Sequence, residues 1–208
     1  MPDRLPEAGD RIAKLLARAG VETTFYDPLI GKGIAELIRP QTKVIYMESP
    51  GSLTFEVQDV PAIAAAAREQ GIVSMIDNTW ASPFLCRPLE LGVDVVIEAA
   101  TKYISGHSDA MLGFVTMATD EHFRKIKWTA ISLGAAAGPD DLYLGLRGMR
   151  TLSVRLERHQ KNALRVAQWL DGRAEVERVL YPALPGDPGH QLWQRDFDGA
   201  SGLFGVLL

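Results

Sequence analysis

The chain has 208 residues, of which 47% are hydrophobic and 23% charged, and its formal net charge is −4. These values are typical of a folded globular protein with one large domain, or with one and a half domains of ordinary size. The acidic balance and the lack of a Lys/Arg run argue against a nucleic-acid-binding surface, and no apolar stretch is long enough to cross a membrane.

The first half of the chain alternates helical and strand-forming segments. We predict helices at residues 10–19 (capped by Asp10), 33–38 and 60–70, and strands at residues 21–26, 43–48, 72–76 and 93–98. Asp59 is the expected cap of the helix at 60–70, where Pro61 is tolerated in the first turn. This alternation predicts an α/β fold with a mostly parallel sheet flanked by helices.

The pattern changes after residue 110. Residues 112–117 follow the previous strand too closely for a crossover helix, so we expect them to run antiparallel. A helix is predicted at 120–131, and one long helix at 138–170 that bends near Gly145 and Gly148. A strand at 176–181, a short helix at 191–197 and an apolar strand at 202–208 complete the pattern.

Two domains follow from these elements. Residues 1–140 are predicted to form part of a large domain, and residues 141–208 a connecting helix and the beginning of a smaller α+β domain. The apolar strand at 202–208 has no later partner in the sequence, and native proteins avoid unpaired apolar strands. We therefore expect the chain to be incomplete at this end.

The cysteine content and the N-terminus indicate a compartment. Cys86 is the single cysteine, has no histidine nearby in the sequence, and is predicted to be a half-buried thiol. The segment from Met1 to Glu7 is too polar for a signal peptide. Both observations favour a reducing cytoplasm.

Polar residues follow three of the predicted strands, at the point where each strand ends. They are Glu48-Ser49-Pro50, Asp77-Asn78-Thr79 and Thr101-Lys102. Because the carboxyl ends of parallel strands meet at the same rim of a sheet, and ligands bind outside that rim, these residues are expected to face one cleft.

Lys102 is the candidate catalytic residue. It follows an apolar strand and opens a Gly/Ser-containing turn, where partial desolvation favours the neutral, nucleophilic amine. An amine and a carboxylate at neighbouring strand ends suggest pyridoxal phosphate, because its aldehyde forms a Schiff base with an amine and its ring nitrogen needs an acid. Lys102 would hold the aldehyde, Asp77 the ring nitrogen, and the Thr101 hydroxyl the phosphate. A surface lysine and a turn aspartate are the commoner interpretation of either residue taken alone.

The same residues carry a family resemblance. The segments Ala100-Thr101-Lys102-Tyr103 and Gly106-His107-Ser108-Asp109 resemble the lysine signature of the pyridoxal-phosphate enzymes of cysteine and methionine metabolism, and residues 73–79 resemble their cofactor-aspartate segment. Within that family, four further segments are most similar to the bacterial cystathionine β-lyases. They are residues 27–31, 48–52, 182–186 and 193–197.

This resemblance implies a fold-type-I enzyme that uses pyridoxal phosphate and cleaves the Cβ–S bond of cystathionine, giving homocysteine, pyruvate and ammonia. It implies that Lys102 binds the cofactor and moves the Cα proton, that Asp77 binds the pyridinium and that Thr101 binds the phosphate. By this resemblance, Ser52 takes the place of an asparagine that many members have near the cofactor oxygen, and Ala99 that of a phosphate-binding serine. The resemblance also implies that the full-length enzyme is a homotetramer.

Several family motifs have no counterpart in this sequence. The glycine turn for the phosphate, the tyrosine that stacks on the ring and the arginine for the substrate carboxylate are not found, so the chain resembles the middle and early C-terminal part of the enzyme. A γ-lyase or γ-synthase reaction and a catalytically incompetent fragment remain alternatives. His107 and Asp109 lack a third ligand at a suitable spacing, so no metal site is predicted.

Overall fold

The computed structural model describes residues 8–208, with side-chain surroundings from Ala13 onward. The polar segment from Met1 to Glu7 lies outside the described residues. Helix α1 spans Ala8–Arg18, so it begins before Asp10, which we had expected to be its cap. Within the described part of the chain, no helix is both long and apolar enough to span a membrane.

The remaining elements follow the α/β alternation. In chain order they are a 3-10 helix (Gly31–Leu37), β1 (Val44–Glu48), α2 (Val60–Glu69), β2 (Val73–Asp77), α3 (Ser82–Leu85), β3 (Val95–Glu98), β4 (Phe114–Met117), α4 (Asp120–Ser132), α5 (Pro139–Met149), α6 (Leu152–Asp171), β5 (Arg178–Leu180), α7 (His190–Asp196) and β6 (Gly205–Leu207). Helix α2 begins as predicted, because the Asp59 carboxylate accepts a hydrogen bond from the Ala62 N–H.

Among the described residues, β1 to β4 form one sheet in that order. Strands β1, β2 and β3 are parallel, and β4 is antiparallel to β3. The predicted mostly parallel sheet and its antiparallel fourth strand are therefore confirmed. In the register of the parallel strands, Glu48 lies opposite Asp77 and Asp77 opposite Ile97, so β1, β2 and β3 end at the same rim.

Apolar side chains form two clusters. One lies between α2, the 3-10 helix and the sheet, and it contains Ile34, Met47, Ile63, Ile76 and Val96. The other joins the sheet end to the C-terminal elements, and it contains Phe55, Trp80, Leu156, Leu180 and Tyr181. Because the second cluster draws on both sides of residue 140, the two predicted domains share buried surface, and their division remains a prediction.

Three predicted elements differ from the structure. Residues 21–26 are not a strand, and among the described residues they pair with no strand of either sheet. The long helix at 138–170 is two helices, α5 and α6, separated at Arg150 and Thr151 rather than bent. The short helix α3 occupies part of a predicted loop.

Two further expectations are corrected. The C-terminal strand is not unpaired, because β6 is antiparallel to β5 and residue 206 lies opposite Val179. Cys86 is fully buried rather than half-buried, and this burial raises the pKa of its thiol to about 12. The thiolate, which is the nucleophilic form, is therefore strongly disfavoured at neutral pH.

Candidate active site

An open cavity of about 1050 Å³ lies at the rim where β1, β2 and β3 end. Its size suits a cofactor or a small substrate. The lining comes from the three strand ends, from the turn after Lys102, and from helices α5 and α6. The lining residues include Glu48, Ser52, Phe55, Thr79, Trp80, Thr101, Lys102, Ser108, Arg155 and His159.

Lys102 lies in this cavity, in the turn that follows β3. The turn is held by its own backbone, because the Lys102 N–H donates to Ala99 O at 2.9 Å and the Gly106 N–H donates to Lys102 O at 2.9 Å. The side chain is exposed in the cavity, and Lys102 lies four residues beyond the last residue of β3. The predicted partial desolvation of its amine stays a prediction.

Thr101 lines the cavity beside Lys102, but its hydroxyl already has backbone partners. Its Oγ1 donates to Leu112 O at 3.1 Å and accepts from the Leu112 N–H at 3.0 Å. These bonds tie the lysine turn to the segment that enters β4. The hydroxyl therefore fixes the turn in this structure, and its predicted role at the phosphate remains a prediction.

Asp77 ends β2 but is not among the residues that line the cavity. Its Oδ1 accepts the Thr79 N–H at 2.8 Å, and Thr79, two residues further along, does line the cavity. The Thr79 hydroxyl in turn accepts the Ala99 N–H at 2.8 Å. A chain of hydrogen bonds thus connects the end of β2 to the turn that carries Lys102.

Two acidic residues lie together at this rim. Partial burial raises the pKa of Tyr46 to about 12, and the carboxylates of Asp77 and Glu48 add to that rise, which places both charges near the tyrosine. Ser52, the other predicted cofactor residue, lines the cavity and donates its hydroxyl hydrogen to Glu48 Oε1. The structure thus brings Ser52, Thr101 and Lys102 to one cavity. Asp77 does not line this cavity, but it lies two residues before Thr79, which does.

A buried acid lies beneath the rim. Glu98, the last residue of β3, is 2% exposed, and its Oε1 accepts a hydrogen bond from Asn78 Nδ2 at 2.9 Å. The pKa of the Glu98 carboxyl is raised to about 8, mainly by burial; the hydrogen bond from Asn78 opposes this rise, and the nearby charge of Asp77 adds to it. At neutral pH Glu98 is therefore mostly protonated, which limits the negative charge next to Asp77.

Sequence reasoning missed the contribution of α6 and of Trp80. Arg155 and His159 both reach the cavity from α6. Their spacing of four residues puts them on one helical face, and that was the available signal. Trp80 follows Thr79, donates its indole N–H to Leu203 O at 2.9 Å, and packs edge-on against Tyr181. No motif in the sequence points to this contact with the C-terminal segment.

The residues present fit pyridoxal phosphate. An exposed lysine lies in a cavity large enough for the cofactor, and the hydroxyl-bearing residues Ser52, Thr101 and Ser108 line the same cavity. A carboxylate, Asp77, ends the neighbouring strand. Hydroxyl groups suit a phosphate, and an amine and a carboxylate suit an aldehyde and a pyridinium. Elsewhere in the described residues, no three His, Cys, Asp or Glu side chains are grouped to hold a metal ion.

Comparisons with known proteins agree with this chemistry. A Rhizobium johnstonii protein with a provisional cystathionine beta-lyase name is 54% identical over 194 residues, which are 93% of this chain and 49% of that protein. Cystathionine beta-lyase MetC of Escherichia coli is 47% identical over 201 residues, which are 96% of this chain and 51% of that enzyme. The chain therefore spans about half the length of these curated relatives.

A solved structure gives the same result for the fold. Cystathionine gamma-lyase from Lactobacillus plantarum, solved in complex with L-serine, superposes with a TM-score of 0.92 and 32% identity over 95% of this chain and 52% of that one. The fold is therefore that of the fold-type-I pyridoxal-phosphate enzymes, as predicted. The sequence profile of the family described as Cys/Met metabolism PLP-dependent enzyme matches residues 8–208. The chain belongs to this family, whose cofactor is pyridoxal phosphate.

Proposed function

We propose that this chain forms part of a carbon–sulfur lyase that cleaves cystathionine by β-elimination. With one water consumed, the products are homocysteine, pyruvate and ammonia.

The observation that carries the proposal is the position of Lys102, an exposed amine in a cavity where parallel strands end. The higher identities, 54% and 47%, are to proteins with β-lyase names.

The cofactor, when bound, withdraws electrons from the substrate Cα and so makes the Cα proton removable. In our proposal, the Lys102 amine would hold the cofactor, and the same amine would accept the Cα proton of the substrate. Asp77 keeps the ring nitrogen protonated. Thr101 and Ser52 provide hydroxyl groups near the phosphate and the cofactor oxygen.

The test begins with cofactor binding. Pyridoxal phosphate is added to the chain, the visible absorption is recorded, and the complex is reduced with borohydride and digested. We expect the absorption to develop and the peptide that contains Lys102 to gain the mass of the reduced cofactor. Lys102→Ala should lose both signals. Lys127→Ala, which removes a lysine outside this cavity, should keep them.

Two results would contradict the proposal. One is a spectrum that is identical in the native chain and in Lys102→Ala. The other is cofactor mass found at other lysines but not at Lys102. If the cofactor binds at Lys102 and cystathionine is not cleaved, the chain holds the cofactor but is an incompetent part of the enzyme.

A second candidate is elimination at Cγ, which gives cysteine, 2-oxobutyrate and ammonia. It is favoured by the close superposition on cystathionine gamma-lyase, at a TM-score of 0.92. The lower identity of that match, 32%, makes it the second choice. Product analysis separates the two, because β-elimination releases pyruvate and γ-elimination releases 2-oxobutyrate.

A further inference from the structure

The Arg155 side chain makes hydrogen bonds to the turn that carries Lys102. Its Nη1 donates to Tyr103 O at 2.7 Å, and its Nη2 donates to Ile104 O at 3.3 Å and to Gly148 O at 2.8 Å. Its Nε donates to Thr151 Oγ1 at 3.1 Å. A planar guanidinium with donors in a fixed fork can serve several acceptors at once, which a lysine ammonium does less well.

Two glycines, Gly106 and Gly148, allow the close approach between the turn, α5 and the guanidinium. A Cβ atom on Gly106 would lie 2.1 Å from Arg155 Nη1, and one on Gly148 would lie 2.2 Å from Ile104 O. The turn and the end of α5 are therefore in direct backbone contact, and the guanidinium lies against Gly106. In addition, Gly106 has a φ of +71°, a conformation that glycine adopts at little cost.

Arg155 has carbonyl partners rather than a carboxylate. In the part of the chain that the structure describes, no acidic group forms a salt bridge with it. A cation bound to backbone carbonyls fixes backbone position, because each lost bond would leave a partly buried acceptor unsatisfied. The Lys102 side chain forms no hydrogen bond within the described residues. The position of the Lys102 backbone therefore determines which part of the cavity the amine can reach.

We infer that Arg155 is a positioning residue for Lys102, because it fixes the backbone of residues 103 and 104 against α5 and α6. The inference rests on the proposed function of Lys102 and deepens it. Arg155 acts through these backbone contacts and not by touching the reacting atoms. It determines how well the amine is placed to meet the cofactor aldehyde, and misplacement of a reactive group slows a reaction strongly.

The test compares Arg155→Gln and Arg155→Lys with Arg158→Gln and Arg158→Lys, since Arg158 is exposed on the same helix. Each variant is measured well below its thermal midpoint. The first readout is amide hydrogen exchange at Ser105 and Gly106, whose N–H groups donate to Ala100 O and Lys102 O. The second is the rate at which Lys102 acquires pyridoxal phosphate.

For Arg155→Gln we expect at least tenfold faster exchange at residues 105 and 106 and at least tenfold slower reaction at Lys102, with exchange in β1 and β2 unchanged. Arg155→Lys should recover part of both effects and remains informative if the glutamine variant does not fold. The Arg158 variants should match the native chain. Such a pattern requires a local effect rather than a general loss of stability.

Unchanged exchange in both Arg155 variants would overturn the inference. So would faster exchange together with an unchanged rate at Lys102, since the turn would then be loosened without consequence for the amine. If the native chain does not react with the cofactor at all, the proposed function fails. The exchange measurement then decides by itself whether Arg155 fixes the turn.

Discussion

Asn78 and Glu98 meet in the interior, at the ends of neighbouring strands: Asn78 Nδ2 donates to Glu98 Oε1 at 2.9 Å, and to Cys86 O at 3.1 Å. Asn78 Oδ1 is buried, and no described residue donates a hydrogen bond to it. Because burial raises the pKa of Glu98 to about 8, the carboxyl retains its proton at neutral pH. Asn78 and Glu98 thus lie close to Asp77, and at neutral pH the pair carries little negative charge.

This pairing predicts how stability depends on pH. Between pH 4.5, the ordinary value for a glutamate, and about 8, the folded chain keeps a proton on Glu98 that the unfolded chain has lost. The Glu98 contribution to stability should therefore fall as the pH rises through that window and level off above it. The full difference is on the order of 5 kcal/mol.

Glu98→Gln removes the titration but keeps an oxygen acceptor for Asn78. Its free energy of unfolding, measured by denaturant titration from pH 5 to pH 9, should exceed that of the native chain by an amount that grows with pH. Glu69→Gln, which changes an exposed glutamate on α2, should show no such trend. Parallel curves for Glu98→Gln and the native chain would contradict the prediction.

Leu156 is predicted to be a major contributor to the shared core. It is 0% exposed on α6 and lies in the cluster with Trp80 and Tyr181. Leu156→Ala should lower the free energy of unfolding by about 2–5 kcal/mol, because a buried cavity replaces the lost side chain. Val154→Ala, two residues earlier and 69% exposed, should change it by about 0.5 kcal/mol or less. Equal effects would show that α6 does not pack as described.

Gly148 is predicted to tolerate no side chain. A Cβ there would lie 2.2 Å from Ile104 O and 2.5 Å from Ser105 O, and both neighbours are backbone atoms that cannot move aside easily. Gly148→Ala should therefore lower stability by about 1–3 kcal/mol. Gly186→Ala is the control, because nothing lies within 4 Å of its Cβ position. Thermal unfolding of both variants checks the prediction, and a native-like midpoint for Gly148→Ala would refute it.

Asp77→Asn tests the proposed acid at the ring nitrogen. The variant should still acquire the cofactor at Lys102, since the covalent bond does not need the carboxylate. Its rate of pyruvate release from cystathionine should fall by roughly a hundredfold or more, the scale seen when one preorganised electrostatic partner is lost. Asp171→Asn, at the end of α6, is the matched control. A native rate in Asp77→Asn would exclude this role.

The elements that the sequence predicts well are those set by local signals. The Asp59 cap followed by an alanine-rich stretch predicts α2, and the apolar run before Glu98 predicts β3. The strand-end rule also predicted that Glu48, Thr79, Thr101 and Lys102 meet at one rim, because it depends only on parallel order, and all four line the cavity. The helix and the strand are each determined by residues close together in the chain, and the rim is determined by the parallel order of the strands.

The features that it misses depend on distant partners. Residues 21–26 have strand-forming side chains, but a strand requires a neighbour, and pairing cannot be read from one segment. The pairing of β6 with β5 was missed for the same reason. The exposure of Lys102 depends on the path of its turn, and the contact of Arg155 with that turn crosses 52 residues of sequence.

Phe55 lies between the cavity and the C-terminal strand β6. Its ring lines the cavity, and a Cβ atom on Gly205, in β6, would come within 3.1 Å of Phe55 Cε2. Phe55 also has a φ of +59°, a conformation that a bulky residue adopts only when its surroundings impose it. A larger residue at position 205 would therefore press on a side chain that lines the cavity, so that the shape of the cavity depends on a strand that contributes none of its reactive groups.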